Sequence, residues 1–322
     1  MKLGIIDIGT NSFKLLIVTI KKDTYEVVHK DKLSVKLGEG GIKGGFIAHS
    51  PFLRGINALK AHKKMLDLHE VDKVIAFATA AIRDAENGKE FIKKVKQETD
   101  IDITIISGDK EASLIYDGVK SCVPMTEEKV LVIDIGGGST EFIICNKSRI
   151  IWKKSFQLGA ARLLEEINPS EPITKEEKEK FKQYIKTALN ELVPIIKEHK
   201  IQTIIGSSGT FDSLAEMIYY KYETPAGVKA KKYDPKNDYI FDKEHLDELL
   251  KGIIKSNIDE RMDMKGLATM RVEMIVMSSL LIKHIIKRLG IKTVRLSNYS
   301  LKEGMLVDYI RHIKLNKEYA LS

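Results

Sequence analysis

The sequence predicts an α/β protein of two related lobes, and three observations support this. Residues 3–15 read LGIIDIGTNSFKL and residues 130–142 read VLVIDIGGGSTEF, so one pattern occurs twice. In each, an apolar strand ends in Asp-Ile-Gly and continues through small or polar residues into a second strand. Short apolar strands also alternate with longer helical patterns along the chain. Finally, 322 residues are long for one compact core and suit two lobes.

The individual elements follow from periodicity and from turn residues. Strands are expected near 3–8, 13–20, 25–36, 74–78, 103–106, 130–134, 140–144, 149–156, 202–206 and 293–297. Helices are expected at 51–69, 88–98, 109–118, 175–198, 209–221, 243–256, 266–288 and 299–313. Thr174 and Glu177 form a capping box that marks a helix start. Because Pro124 precedes the second repeat, the lobes are assigned to residues 1–124 and 125–301.

Composition excludes several classes of protein. Hydrophobic residues at 43% and charged residues at 30% are typical of a globular chain, and the net charge of +8 favours polyanionic partners. Cys122 and Cys145 lack metal-type spacing, which indicates reduced thiols. Asp7 interrupts the N-terminal apolar run, so we expect neither a signal peptide nor a membrane span. A cytoplasmic location is therefore expected, with no specific nucleic acid or membrane as partner.

The repeated hairpins are candidate phosphate sites. Glycine lets a turn close tightly, so that backbone N–H groups point inward and can hold phosphate oxygens. A single such turn would suit an ordinary hairpin. Two turns in register, each opening a lobe-sized segment, favour a shared binding function.

The chain resembles the acetate and sugar kinase, heat-shock ATPase and actin superfamily. Within it, the similarity is to the exopolyphosphatase and guanosine pentaphosphate phosphatase (Ppx/GppA) family. Motifs in the expected order carry the resemblance: 7–17, 78–88, 106–119, 132–142, 156–163, 205–210, Arg271 with its helix, and 298–306.

This resemblance implies two actin-like (ribonuclease H-like) lobes around a central active-site cleft, with a C-terminal helix at 302–322 completing the first lobe. It implies an exopolyphosphatase that releases orthophosphate from the ends of inorganic polyphosphate. Guanosine pentaphosphate 5′-phosphohydrolase is the alternative with the same chemistry. A kinase of the superfamily and a non-catalytic polyphosphate or nucleotide sensor are alternatives of other classes. A homodimer is the assembly considered for a chain of this size.

The resemblance also implies a metal site. Asp7 and Asp134 match the strand-end aspartates that hold Mg²⁺ through water, and Glu141 is expected to assist them. Magnesium suits few carboxylates together with phosphate oxygens; a monovalent cation is a further candidate cofactor. Lys14 occupies the equivalent position in the first hairpin and is expected to face the phosphate chain. The alternative for Lys14 and Glu141 is a solvent-facing charge.

Glu111 matches the catalytic glutamate of the family and is predicted to be the general base that activates water. A carboxylate in the first turn of a helix also complements the helix dipole, which is the alternative explanation. Asp109 is a weaker candidate for the base.

Further residues are predicted to bind phosphate: Thr10, Asn11, Ser12, Lys14, Arg83, Gly136, Gly137, Gly138, Ser139, Thr140, Ser208, Gly209, Thr210 and Arg271. Arginine suits bidentate contact with phosphate, although a salt bridge is the alternative for Arg83 and for Arg271. The lysines at 229, 231, 232 and 236 form a basic loop that would either guide a polyanion or remain solvated.

Overall fold

The computed structural model of the chain describes residues 1–22, 24–224, 233–234, 238–315, 319 and 321. Within these residues the first sheet consists of β1 (Lys2–Ile8), β2 (Ser12–Ile20), β3 (Tyr25–Ser34), β4 (Lys73–Ala78) and β5 (Ile103–Ile105). The second consists of β6 (Val130–Ile135), β7 (Thr140–Cys145), β8 (Ile150–Phe156), β9 (Thr203–Ser207) and β10 (Thr293–Ser297).

Helices surround both sheets. Before β6 they are α1 (His49–Leu68), α2 (Ala80–Arg83), α3 (Gly88–Thr99) and α4 (Gly108–Cys122). After β8 they are α5 (Ala160–Ile167), α6 (Lys175–Glu198), α7 (Ser208–Ile218), α8 (Lys243–Lys255), α9 (Ile258–Met262), α10 (Ile275–Leu289) and α11 (Leu301–Lys314). A π-helical turn follows α7 at Tyr219–Glu223, and a 3₁₀ turn precedes α10 at Thr269–Arg271. No helix in the described ranges has the length and apolar character to cross a bilayer.

The two sheets have the same topology. Their strand orders are β3-β2-β1-β4-β5 and β8-β7-β6-β9-β10. In each, the first three strands of the lobe are antiparallel, and the last two are parallel to the first. The repeat seen in the sequence therefore extends over five strands, and the predicted fold class of two actin-like lobes is confirmed.

Helices α4 and α11 pack against each other between the sheets. Each follows the last strand of its lobe, and their apolar side chains share one core with residues of β1, β2, β6 and β7. Glycines allow close contact: a methyl group on Gly304 would lie 1.7 Å from the Leu114 carbonyl oxygen, and one on Gly118 would lie 2.3 Å from the Ser300 carbonyl oxygen. Helix α11 also contacts β1. The division of the chain near residue 124 stays a prediction.

One predicted helix is wrong in its first part. The sequence pattern predicts a helix over 266–288, whereas α10 begins at Ile275. Gly266 has a φ of +87°, and a methyl group there would lie 2.8 Å from the backbone of Glu216 and Met217. This left-handed turn against α7 prevents a continuous helix. Arg271 consequently lies in the 3₁₀ turn that precedes α10.

Candidate active site

The two predicted phosphate hairpins have the same turn geometry. The Gly9 N–H donates to the Ser12 carbonyl at 3.2 Å, and the Gly136 N–H donates to the Ser139 carbonyl at 3.0 Å. The turns follow β1 and β6, which are the central strands of the two sheets. Each turn thus lies at the carboxyl end of a central strand, where α/β proteins commonly bind ligands.

The hairpins contact each other across the space between the lobes. A methyl group on Gly137 would lie 2.8 Å from the Thr10 Cβ, and one on Gly138 would lie 2.7 Å from the Thr10 Oγ1. The glycines are therefore required by the close approach of the other hairpin. This contact brings the two candidate phosphate loops into one site.

Helix α5 orients the second hairpin. The N–H groups of Ala160 and Ala161 donate to the carbonyls of Gly136 and Gly137, both at 2.9 Å. These N–H groups are among the donors that the first turn of a helix leaves without an intrahelical partner. Because N–H and C=O point in opposite directions across a trans peptide, the amides that follow these carbonyls point away from α5 and toward the cleft.

Arg162 of α5 fixes this arrangement. Its side chain is buried and donates to the carbonyls of Gly138 and Ile42 and to the carboxylate of Asp84, each at 3.1 Å. Gly138 belongs to the second hairpin, whereas Ile42 and Asp84 belong to the first lobe. Arg162 therefore links the hairpin to the opposite lobe. Arg162 lies within the family-like motif at 156–163, but no role was predicted for it from the sequence.

Most of the predicted site residues line one cleft between the two hairpins. They are Asp7, Thr10, Asn11, Ser12, Lys14, Glu111, Asp134, Gly136, Gly137, Gly138, Ser139, Ser208, Thr210 and Arg271. Four predicted residues do not line it: Arg83, Thr140, Glu141 and Gly209.

Asp7 and Lys14 form an ion pair within the first lobe. They are opposite each other on β1 and β2, and the Lys14 Nζ donates to the Asp7 Oδ2 at 3.1 Å. Burial by itself lowers the pKa of Lys14, but the carboxylates of Asp7 and Asp134 outweigh it, and the pKa is raised. Lys14 therefore stays charged in the cleft.

Asp134 accepts two hydroxyl hydrogen bonds. The Ser207 Oγ donates to its Oδ2 at 2.7 Å, and the Ser300 Oγ donates to the same oxygen at 2.5 Å. Both serines stand at the ends of elements, Ser207 at the end of β9 and Ser300 at the cap of α11. Neither serine was among the predicted site residues. A capping box with Glu303 was the available signal for Ser300.

Glu111 lies in the first turn of α4 and is bound by Arg83. The Arg83 Nη1 donates to the Glu111 Oε2 at 2.9 Å. Burial raises the pKa of Glu111 to about 7; Arg83 opposes this rise, and the carboxylates of Asp134 and Asp7 add to it. A carboxylate with a pKa near neutrality is suited to general-base chemistry. The salt bridge considered as the alternative for Arg83 is thus present, and contact of Arg83 with phosphate stays a prediction.

Glu141 and Thr140 do not line the cleft, although Glu141 lies opposite Asp134 on the neighbouring strand β6 and shares its face of the sheet. The Ser155 Oγ donates to the Glu141 Oε1 at 2.7 Å, across the β7–β8 pair. Burial raises the pKa of Glu141 well above its usual range, and neighbouring carboxylates, Glu111 first, add to this. The Thr140 hydroxyl donates to the Leu158 carbonyl at 2.8 Å. The phosphate contact of Thr140 and the metal contact of Glu141 stay predictions, and neither residue has the solvent-facing position considered for Glu141.

Arg271 lies over Ser208-Gly209-Thr210, the third glycine-containing segment predicted to bind phosphate. A methyl group on Gly209 would overlap the Arg271 guanidinium, so glycine is required where the arginine crosses the start of α7. No described residue forms a hydrogen bond or an ion pair with this guanidinium. Burial lowers the pKa of Arg271, although Asp212 and Asp134 oppose the shift. The guanidinium therefore points into the cleft with its donors available.

A second basic side chain, Lys32, lies close to Arg271. Lys32 is opposite Lys14 on β3. Burial lowers the pKa of Lys32 to about 7, and the charges of Arg271 and Lys14 add to this shift. Its amine has no ion pair within the described part of the chain. Lys32 was not among the predicted site residues, because its position depends on strand register. The lysines of the predicted basic loop, at 229, 231, 232 and 236, lie outside the described residues, so the structure does not bear on them.

These features together define a two-lobed protein with a central cleft, in which a buried carboxylate lies beside two glycine-containing turns. Comparison with known sequences identifies the group more closely. The pattern of the Ppx/GppA phosphatase family matches residues 16–312, so the chain belongs to that family.

Similar proteins agree with this assignment. The crystal structure of an exopolyphosphatase from Cytophaga hutchinsonii has 36% sequence identity and a TM-score of 0.90, covering 97% of this chain and 98% of that one. The Ppx/GppA family member of Aquifex aeolicus has 26% identity and a TM-score of 0.77, with 99% of each chain covered. A bifunctional 3-dehydroquinate synthase/phosphatase of Fusobacterium nucleatum is 33% identical over 302 residues. That match covers 88% of this chain but only 43% of the relative.

Proposed function

We propose that the protein is an exopolyphosphatase, which hydrolyses the terminal phosphoanhydride bond of inorganic polyphosphate and releases orthophosphate. The observation that carries the proposal is the contact between the two glycine hairpins in one cleft that Glu111 also lines. The exopolyphosphatase from Cytophaga hutchinsonii, similar over nearly the whole chain, supports the choice of substrate.

In the proposed reaction, the hairpin amides and Arg271 bind the oxygens of the terminal phosphoryl group. Glu111 accepts a proton from a water molecule as the water oxygen forms a bond to phosphorus. The bond between that phosphorus and the bridging oxygen breaks, and the bridging oxygen stays with the shortened chain. The hydrogen-bond donors of the hairpins and of Arg271 are fixed around the phosphoryl group and stabilise the negative charge of its oxygens. Such positioning and charge stabilisation supply most of the catalysis in phosphoryl transfer.

Mg²⁺ is proposed as the cofactor, held by Asp7 and Asp134 through water. No group of three or more His, Cys, Asp or Glu side chains is placed to hold a metal among the described residues. Magnesium usually keeps several waters and takes one or two carboxylates, so two buried aspartates in a phosphate cleft fit its chemistry. When bound, Mg²⁺ would neutralise phosphate oxygens. Removal by a chelator is expected to abolish hydrolysis, and added Mg²⁺ to restore it.

Two basic side chains without an ion-pair partner among the described residues, Arg271 and Lys32, support a multiply charged substrate. Burial and the charge of Arg271 lower the pKa of Lys32 to about 7, so Lys32 is only partly charged at neutral pH. A row of phosphates would stabilise the charged form of both side chains. We also propose, from the reduced thiols and the polyanionic substrate, that the enzyme acts in the cytoplasm; the structure contains no disulfide between Cys122 and Cys145.

The test is orthophosphate release from long polyphosphate, tripolyphosphate and guanosine pentaphosphate, each with and without Mg²⁺. Faster release from polyphosphate than from the nucleotide is expected. Preference for guanosine pentaphosphate would favour the 5′-phosphohydrolase, and transfer to an acceptor would favour a kinase. Tight binding without release would indicate a sensor.

Glu111→Gln is expected to reduce turnover about 10²–10⁴-fold while substrate binding is kept, since the amide cannot accept the proton. Asp109→Asn is the matched control. Asp109 is two residues away on the same helix, is exposed, and pairs with Lys153 at 3.1 Å. Equal turnover in Glu111→Gln and the parent protein would remove Glu111 from the mechanism.

A further inference from the structure

A second pocket lies in the second lobe, between α8, α10 and β10. It has a cavity volume of about 200 Å³ and shares no lining residue with the cleft. Its floor is formed by apolar side chains: Phe241, Leu246, Leu250, Ile286, Ile291 and Val294. We call it the α8–α10 pocket.

Lysines surround the floor of the α8–α10 pocket. Lys243, Lys287 and Lys292 are exposed, and their ammonium groups have no hydrogen-bonded or ion-paired partner within the described residues. The acidic side chain at the rim, Asp247, is neutralised by Lys283 at 3.4 Å and by Lys251 at 2.5 Å. The rim therefore carries a positive charge that no described side chain balances.

The chemistry of the pocket restricts its ligand. None of the six floor side chains can form a hydrogen bond. A ligand with polar atoms, such as a heterocyclic ring, would therefore lose its hydrogen bonds to water and gain none from the floor. An unbranched hydrocarbon chain has no hydrogen bonds to water to lose, and an anionic group at its end would reach the lysines at the rim. We propose that the α8–α10 pocket binds an anionic amphiphile, namely a monocarboxylate with a medium-length apolar chain.

The test is titration of the full chain with hexanoate, octanoate and decanoate by calorimetry. Each added methylene buries more apolar surface, so the dissociation constant should fall about fourfold per methylene. Decanol provides the matched ligand without charge and should bind more weakly than decanoate. Absence of decanoate binding, or equal binding of decanol, would overturn the proposal.

Variants locate the site. Lys287→Glu with Lys292→Glu is expected to weaken decanoate binding at least about tenfold, since attraction becomes repulsion. Lys175→Glu with Lys186→Glu, at exposed positions of α6, changes the net charge equally and should leave binding unchanged. Leu250→Trp fills the pocket and should abolish binding. Equal losses in both lysine pairs would show non-specific attraction and refute the site. Orthophosphate release should be unaffected in all lysine variants, because the pocket is separate from the cleft.

Discussion

Glu111 determines the pH dependence expected of the enzyme. A base must be deprotonated to accept a proton from water, and burial raises the pKa of Glu111 to about 7. Turnover should therefore fall about tenfold for each pH unit below that value. A pH profile of kcat checks this; a profile that stays flat well below neutrality would contradict the assignment.

Arg83 should determine the pH at which kcat begins to fall, because its charge stabilises the ionised form of Glu111. Arg83→Met is expected to raise the pKa of Glu111, so the fall in kcat would begin at a higher pH. If Arg83 only bound phosphate, Arg83→Met would instead raise KM and leave the pH at which kcat falls unchanged. The two profiles distinguish the observed salt bridge from the role predicted by resemblance.

His62 should make folding sensitive to acid. The side chain is fully buried, and its Nε2 lies 3.5 Å from the Asp31 carboxylate. Burial lowers its pKa below 6.5, with His29 adding to the shift and Asp31 opposing it. Below pH 6.5 the unfolded chain therefore binds more protons than the folded chain, and stability falls by up to about 1.4 kcal/mol per pH unit until the folded pKa is reached.

The measurement is urea unfolding as a function of pH. His62→Leu should reduce the loss of stability on acidification, whereas His49→Leu, at an exposed position, should not. If the stability of His62→Leu falls on acidification as much as that of the parent protein, other titratable groups cause the loss.

Among individual residues, those that lie beside their own glycine turns, such as Asp7, Asp134 and Ser139, could be identified from the sequence. It could not identify their partners. Ser300 is 166 residues from Asp134 in the chain. Such contacts depend on packing between elements and leave no local pattern.

Helix α5 is the element on which the second phosphate hairpin depends. Arg162→Met removes donors from the Gly138 and Ile42 carbonyls and leaves Asp84 without one ion-pair partner. Hydrogen bonds from charged groups are worth about 1.5–3 kcal/mol, so we expect KM for tripolyphosphate to rise about tenfold or more. The effect on kcat should be smaller, because Glu111 lies in another element.

Asp84→Asn serves as the control for Arg162→Met. It keeps an oxygen acceptor for the guanidinium and should retain most of the binding. If kcat fell in Arg162→Met while KM stayed constant, a role in positioning the hairpin would be excluded.

Elements with strong local signals were predicted well. Helix α6 spans Lys175–Glu198, as the capping box and the apolar spacing indicate, and the capping box at Thr174 is present. The short helices α2, α5 and α9 were missed. Helix α5 begins on the carbonyls of the second hairpin, so tertiary contact and not local propensity starts it.

The packing of α4 on α11 holds the two lobes together. Gly304→Ala would place a methyl group 1.7 Å from the Leu114 carbonyl oxygen, so the helices must separate. Overpacking of this kind typically costs about 1–3 kcal/mol, and the hairpins should move apart with the lobes. We expect a lower urea midpoint and reduced turnover.

Gly252→Ala is the control for Gly304→Ala. Gly252 lies in α8 with no atom within 4 Å of the added methyl group, so alanine should stabilise the helix by about 0.5–1 kcal/mol. Similar destabilisation by both substitutions would show that close packing at Gly304 does not explain the result.

The sequence by itself determined the duplicated architecture, the two hairpins and the family. These properties are written in local patterns: apolar strands, glycines at turns, and motifs in a fixed order. Only the tertiary structure decided that the hairpins touch at Thr10, that Arg83 binds Glu111, and that Arg162 connects the lobes. Each of these contacts joins residues far apart in the chain, so its geometry follows from how sheets and helices pack and cannot be obtained from spacing.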